Sequence, residues 1–395
     1  MDTKTAPSRS RERWIAVGQS NEPDARAAGA AAARQALDGG DGRLLIVFCS
    51  DSYDLAALSA GINETSGGVP LIGCSTAGEI ATSGPGDASV VVVALGGPSY
   101  SVNTAVATGV STRLREAGAE AAACIAGVDD KPHRIMLLLT DGLAGDQQEI
   151  VRGAYGVLGA GVPLVGGCAG DDLRMRQTSQ LYGDQVLHDA VVAAAVASDA
   201  PFGIGVRHGW RKMGEAMLVT RSANNRVHSL DDKPALDVYL DRLAAPQGAR
   251  SDPAAFTRFA LTHPLGLSRR SGEEVRFVGE ANFEDRSLGC IAEVPQGGLA
   301  WFMEGDEDSV LEATDTACAD ALRQLDGRPA AGLLAFDCIA RRGVLGEEGI
   351  RREIQQVARH ADGAPVAGFY TYGEIARIQG ISGFHNQTLV VLALS

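Results

Sequence analysis

Two four-residue strings, Thr76-Ala77-Gly78-Glu79 and Thr371-Tyr372-Gly373-Glu374, each set a hydroxyl, a glycine and a carboxylate side by side. Glycine leaves its backbone N–H uncovered, and a carboxylate accepts hydrogen bonds from an amine or from a neighbouring loop. Thr76, Gly78, Glu79, Thr371, Gly373 and Glu374 are therefore candidate ligand contacts. The same residues would equally serve to tie down their own loops. A denser cluster surrounds the second string. Cys338, Arg341 and Arg342 follow an apolar run, Tyr370 and Tyr372 bracket the turn, and His385-Asn386 opens the last apolar run. Arg341 can fork a carboxylate, with Tyr370, His385 and Asn386 as neutral partners. On that reading Arg341→Ala weakens a carboxylate ligand far more than it lowers the melting temperature. Arg342 reads as solvated, and His385 as a group that would equally satisfy a buried carbonyl.

Catalytic patterns are absent from the sequence. No GxSxG, HExxH, Walker A or GxGxxG string follows a suitable strand. The histidines at 133, 188, 208, 228, 263, 360 and 385 form no i, i+4 metal pair. Cys168 or Cys338 beside His385 is the one route to an enzyme, and cysteines in apolar strands are usually inert. The expectation is a binding protein with no catalytic residue, no metal and no required cofactor; thiol reactivity at neutral pH separates the two readings.

Three copies of one unit must position these groups. LLIVF (44–48) leads to VPLIGCSTAGEI (69–80), IMLLL (135–139) to VPLVGGCAGDDL (162–173), and GLLAF (332–336) to APVAGFYTYGEI (364–375). Each copy has Pro at 70, 163 or 365 and Gly at 73, 166 or 368. A second Gly follows at 78, 170 or 373, then an acid at 79, 171 or 374. Another apolar run closes each copy, SVVVVAL (89–95), DAVVAAAVA (189–197) or QTLVVLAL (387–394). Short, wholly apolar runs suit strands buried on both faces. The unit reads as strand, helix, strand, Gly-acid turn, strand; the second copy is degenerate, with Asp171-Asp172 in place of the Glu. With the strands side by side in one sheet, the turns and the Cys338–Arg341 cluster would gather beyond the carboxyl ends, where open sheets take ligands.

The fold class expected is mixed α/β, repeated units forming layered sheets flanked by helices, with an additional antiparallel segment in the C-terminal half. Residues 1–13 read as a disordered tail, 14–200 as a domain of two units, and 201–395 as the antiparallel segment plus the third unit. At 395 residues, two or three domains are ordinary. A net charge of −14 argues against nucleic acid or a polybasic membrane contact. The polar opening MDTKTAPSRSRERW carries no signal-peptide pattern, and no charge-free run is long enough to span a bilayer. Seven scattered cysteines without a CxxC pair fit a reducing cytoplasm.

The strings VPLIGCSTAGEI, LDDKPALDVYLDRL, FDCIARRGVLG, PVAGFYTYGEI and FHNQTLVVLAL, in this order, resemble the FIST sensory family with its N- and C-terminal parts. The resemblance covers about residues 25–395. It implies a small-ligand-binding input module of signal transduction, with amino acids or related small carboxylates as ligands. It also implies a separate signalling protein, such as a histidine kinase, as output partner. Some stand-alone members resemble haem-binding nitric-oxide sensors. Haem is thus the alternative ligand, with His385, His263 or His208 as candidate axial side chains.

Overall fold

The computed structural model describes residues 12–38, 40–128, 131–269, 272–378 and 383–395; most of the expected tail, residues 1–11, lies outside the described residues. The first unit comprises β1 (Trp14–Ser20), α1 (Ala25–Leu37), β2 (Gly42–Cys49), α2 (Leu55–Ser66), β3 (Leu71–Ser75), a hairpin of β4 (Glu79–Ala81) and β5 (Gly84–Gly86), and β6 (Val90–Gly96). The order returns as β7 (Tyr100–Thr108), α3 (Leu114–Ala122), β8 (His133–Thr140), α4 (Gln147–Leu158), β9 (Leu164–Cys168), the hairpin β10 (Gln180–Tyr182) and β11 (Gln185–Leu187), and β12 (Ala190–Ser198).

The third unit begins with β13 (Phe202–Arg207) and is then interrupted. The insertion contains β14 (Arg211–Ala223), β15 (Arg226–Leu230), β16 (Lys233–Pro234), α5 (Ala235–Arg242), α6 (Pro253–Ala260), β17 (Leu265–Arg269), β18 (Gly272–Arg276), β19 (Val278–Asn282), β20 (Ser287–Cys290) and β21 (Leu299–Glu304). These strands form one antiparallel sheet over a core of their own centred on Tyr239, Phe256 and Phe302. The unit resumes with α7 (Glu307–Arg323), β22 (Gly332–Cys338), α8 (Ile339–Ala361), β23 (Val366–Thr371), the hairpin β24 (Glu374–Arg377) and β25 (Phe384–His385), and β26 (Leu389–Leu394). Each unit is thus longer at its front than the apolar runs reveal.

The fold is mixed α/β, but the units do not share a sheet. Each builds its own, in the orders β1-β6-β2-β3, β7-β12-β8-β9 and β13-β26-β22-β23. The closing strand pairs antiparallel on the far side of the parallel pair, so units cannot join edge to edge there. They join through exchanged hairpins. β4-β5 of the first unit extends the third sheet beside β23, β24-β25 of the third extends the second beside β9, and β10-β11 of the second extends the first beside β3. The exchange is cyclic, a pseudo-threefold arrangement.

Strand alternation divides the apolar runs between two layers. Ile46 and Phe48, Leu137 and Leu139, and Leu334 and Phe336 point into one shared core, where Phe48 stacks on Phe369 at 4.9 Å. Leu45 and Val47 face α1 and α2, Met136 and Leu138 face α3 and α4, and Leu333 and Ala335 face α7 and α8. Aspartates start the covering helices: the side chains of Asp24, Asp54 and Asp146 accept first-turn N–H groups. Asp306 and Ser309 form a capping box on α7.

Candidate functional site

At the carboxyl ends of the parallel strands the three turns interlock. Ala77 N–H donates to Tyr370 O and Tyr370 N–H to Gly78 O; Tyr372 N–H donates to Cys168 O and Cys168 N–H to Gly373 O. Gly170 N–H donates to Ser75 O, and Ser75 N–H to Ser179 O. Within this ring the two Gly-Glu turns have the same geometry. The Thr76 hydroxyl donates to Glu79 at 2.5 Å, and Ser89 donates from its N–H (3.2 Å) and its hydroxyl (2.7 Å). The Thr371 hydroxyl donates to Glu374 at 2.6 Å, and Thr388 N–H at 3.0 Å. Both carboxylates are fully buried and fasten the point where the chain leaves its own sheet for its neighbour's. Burial pushes Glu79 up to about 7 and Glu374 to about 8, against the pull of these donors. The turns lie in different sheets, Glu79 opposite Phe369 and Glu374 opposite Gly167.

Strand register identifies the third member of this set. Gln180 pairs with Cys74, the position matching Gly167 and Phe369, so Gln180 and not Asp171 takes the place of Glu79 and Glu374. Ala169 and Gln180 are eleven positions apart where Thr76 and Glu79 are three apart, as are Thr371 and Glu374. Eight extra residues therefore precede the second unit's hairpin, and three of them, Asp172, Leu173 and Met175, have φ of 54°, 60° and 52°. Non-glycine residues seldom adopt these values, and outliers gather at functional loops. The loop wraps the Asp171 carboxylate, which accepts from Met175 N–H (2.9 Å), Arg176 N–H (2.7 Å), Gln177 N–H (3.1 Å) and the Tyr372 hydroxyl. Burial opposes ionisation of Asp171, but these donors outweigh it and hold the carboxyl below its ordinary range.

In the C-terminal cluster both arginines are held by the protein's own groups. Arg341 is fully buried, and its guanidinium donates to Asp337 (2.7 Å), His208 O (3.1 Å), Thr314 (3.0 Å) and Glu353. Burial disfavours its charge, yet the two carboxylates more than offset that. Burial, with the neighbouring Glu353, pushes the Asp337 carboxyl well above its ordinary range. The fork expected for a ligand is therefore closed on the protein's own acids. Arg342, expected to be solvated, pairs with Asp87 at 2.7 and 2.8 Å and lies over the Tyr370 ring. The Cys338 thiol sits against Glu374, and Tyr370 and Asn386 are buried beside the same strands.

The three candidate axial histidines are engaged by protein groups. His385 Nε2 bonds Ala376 O at 3.0 Å, and burial lowers its basicity. His208 Nδ1 accepts Trp210 N–H, with Glu273 across from Nε2, and burial pulls it down to about 4. The His263 ring stacks on Phe259 at 4.2 Å. A haem needs an apolar slot beside an axial side chain. These residues do not fit one.

Sheet exchange creates three equivalent seams where one unit's hairpin lies over the next unit's helix start. In one, Arg342 fills the gap between Asp87 and Ala77 O. In another, Phe384 is buried and Gln148 accepts the N–H groups of Gly383 and Phe384. The third, between the first and second units, holds a crevice of about 330 Å³. The loop after β2 and the start of α2 supply Asp51, Tyr53, Leu55 and Ala56; the inserted loop and its hairpin supply Asp171, Arg174, Arg176, Gln177, Ser179, Val186 and His188. The place is the one open sheets favour, beyond the carboxyl ends of β2 and β3. None of the residues singled out from the sequence as ligand contacts lines it.

Comparison with known families settles the lineage. The FIST N domain matches residues 43–233 and the FIST C domain residues 235–377. The chain belongs to the FIST family. FIST domains are associated with small-ligand sensing in signal transduction. An uncharacterized protein of Mycobacterium tuberculosis strain H37Rv is 26% identical over 400 residues, covering 95% of this chain and 97% of its own. One of Methanocaldococcus jannaschii is 26% identical over 160 residues, 38% of this chain and 31% of its own length.

Within this FIST chain, no described helix is long and apolar enough to cross a membrane, and no cluster of metal-ligating side chains occurs among the described residues. The crevice residues escaped sequence reasoning because they lie where the second unit departs from the other two. The clue was the Asp171-Asp172 pair standing where a glutamate was due.

Proposed function

We propose that this FIST protein is a cytoplasmic signal-input module that holds a small ligand in the crevice between its first and second units. Occupancy then alters its contact with a separate signalling protein such as a histidine kinase. The ligand is an amino acid or a related small carboxylate, and no bond in it is made or broken. One observation carries the reading: of three equivalent seams two are plugged by Arg342 and Phe384, and the open one is walled by a loop with three residues at positive φ. A ligand there touches two units at once, so it can favour one arrangement of the inserted loop over another.

Catalysis by cysteine has little support. All seven thiols are buried and unpaired with one another, and burial pushes Cys168 and Cys338 far above the range where a thiolate forms. Seven free thiols also suit a reducing compartment. The Thr76–Glu79 and Thr371–Glu374 turns serve in this reading as anchors of the exchange. No cofactor is required, and hemin titration should give no saturable Soret band.

The test is a thermal-shift panel of amino acids and small carboxylates on wild type and Ala56→Trp, a substitution that fills the crevice. A bound ligand raises the melting temperature by mass action. A rise that Ala56→Trp abolishes supports the reading; a rise that survives places the ligand elsewhere.

A further inference from the structure

We infer that the crevice recognises its ligand through an oxyanion, a carboxylate or a phosphate, anchored on Arg176. The inference rests on the crevice being the ligand site.

Both lining acids are already committed. A carboxylate has about four acceptor directions. Asp171 spends two on each oxygen, Met175 N–H and the Tyr372 hydroxyl on one, Arg176 N–H and Gln177 N–H on the other. Asp51 is ion-paired with Arg174, whose Nε also donates to Asp171 O at 3.0 Å. An ammonium brought to Asp51 would meet that guanidinium, a like charge.

The donors are not all spent. Arg176 lines the crevice, and its guanidinium has no ion pair or side-chain hydrogen bond among the described residues. His188 supplies a second polar atom. Its Nδ1 lies 3.0 Å from Thr178 O, which can only accept, so Nδ1 carries the proton and Nε2 is an acceptor, left for a hydroxyl or amine of the ligand. The Gln177 side-chain amide adds a third group without a partner among the described residues. A guanidinium beside an amide donor is the arrangement that holds planar or tetrahedral oxyanions.

The opposite wall is apolar. Leu55, Ala56 and Val186 line it with the Tyr53 ring, which is fixed because its hydroxyl donates to Glu22 O at 3.0 Å and approaches Ala88 O at 3.2 Å. The ligand class is a small organic anion with an apolar or planar body.

Four probes of one shape separate the outcomes: benzoate, phenyl phosphate, benzylamine and L-phenylalanine, in thermal-shift titrations of the full chain at constant ionic strength. Benzoate or phenyl phosphate should raise the melting temperature, and the stronger of the two names the source of the oxyanion; benzylamine should not. Arg176→Ala should weaken that binding by about tenfold or more while leaving the melting temperature of the free protein in place, and Arg176→Lys should restore part of it. A response to benzylamine or L-phenylalanine that Ala56→Trp removes and Arg176→Ala spares overturns the oxyanion assignment and keeps the crevice. Anion binding that persists in Ala56→Trp overturns the crevice itself. No shift with any probe overturns both.

Discussion

The Tyr372 hydroxyl and the Asp171 carboxylate meet across 201 positions of sequence, joining the third unit's turn to the second unit's inserted loop. The same hydroxyl accepts Leu173 N–H at 2.6 Å and Asp171 N–H at 3.2 Å. Tyr372→Phe should therefore free the loop without unfolding the sheets. Amide exchange at Leu173, Met175, Arg176 and Gln177 should quicken by about tenfold, the loss of on the order of 1–2 kcal/mol of local stability. Hydrogen exchange read by mass spectrometry checks this. Unchanged protection of 171–178 would show that the loop holds itself.

Glu79 and Glu374 predict an unusual pH dependence. Their folded values, about 7 and about 8, lie above the ordinary carboxyl value of 4.5. Between 4.5 and those values the folded protein keeps protons that the unfolded chain has released. Stability from these groups is complete below 4.5 and declines as pH rises through 7 and 8. Wild type should melt lower at pH 8.5 than at pH 5, and Glu374→Gln, which mimics the protonated form, should flatten the profile by on the order of 2 kcal/mol. Parallel profiles for the two proteins would remove Glu374 as a cause.

Arg341 neutralises two buried acids, so its loss is a folding defect. Arg341→Met leaves Asp337 and Glu353 facing one another in the core without a cation. Removing one partner of a buried ion pair typically costs about 3–5 kcal/mol. Denaturant unfolding should show a loss of that size, with affinity for a crevice ligand unchanged in whatever fraction remains folded. A stable variant with weakened ligand binding would restore Arg341 as a ligand contact.

What was legible in the sequence was local, and what was missed was non-local. The apolar runs and the Pro-to-Gly spacing gave the repeated strands their places because each pattern is complete within a few residues of chain. The hairpin exchange could not be read this way. Strands such as Glu79–Ala81 and Gln180–Tyr182 are three residues long and carry no pattern that names a partner sheet. Gln180 hides behind eight inserted residues, and Glu353 reaches Arg341 only because α8 breaks at Gly346, with φ of 64°. The site followed the same division. Arg341 looked available because its partners Asp337 and Glu353 are invisible to spacing, whereas Arg176 looked like any surface arginine.

The glycine three positions after each proline is the clearest case of a sequence signal with one physical cause. A Cβ on Gly368 would lie 1.8 Å from Ala335 O, on Gly166 1.9 Å from Leu138 O, and on Gly73 2.6 Å from Val47 O. In each unit the contact is with backbone of the parallel partner strand, which cannot swing aside as a side chain can. Overpacking a core ordinarily costs about 1–3 kcal/mol; Gly368→Ala and Gly166→Ala should reach the top of that range or pass it, and Gly73→Ala should cost less. Gly156 in α4 is the control, with nothing within 4 Å of its Cβ position. Gly156→Ala should stabilise the protein by about 0.5–1 kcal/mol, the helical preference of alanine over glycine. Chemical denaturation of the four variants orders them; a Gly368→Ala protein as stable as Gly156→Ala would mean that the parallel strands part more easily than their registers imply.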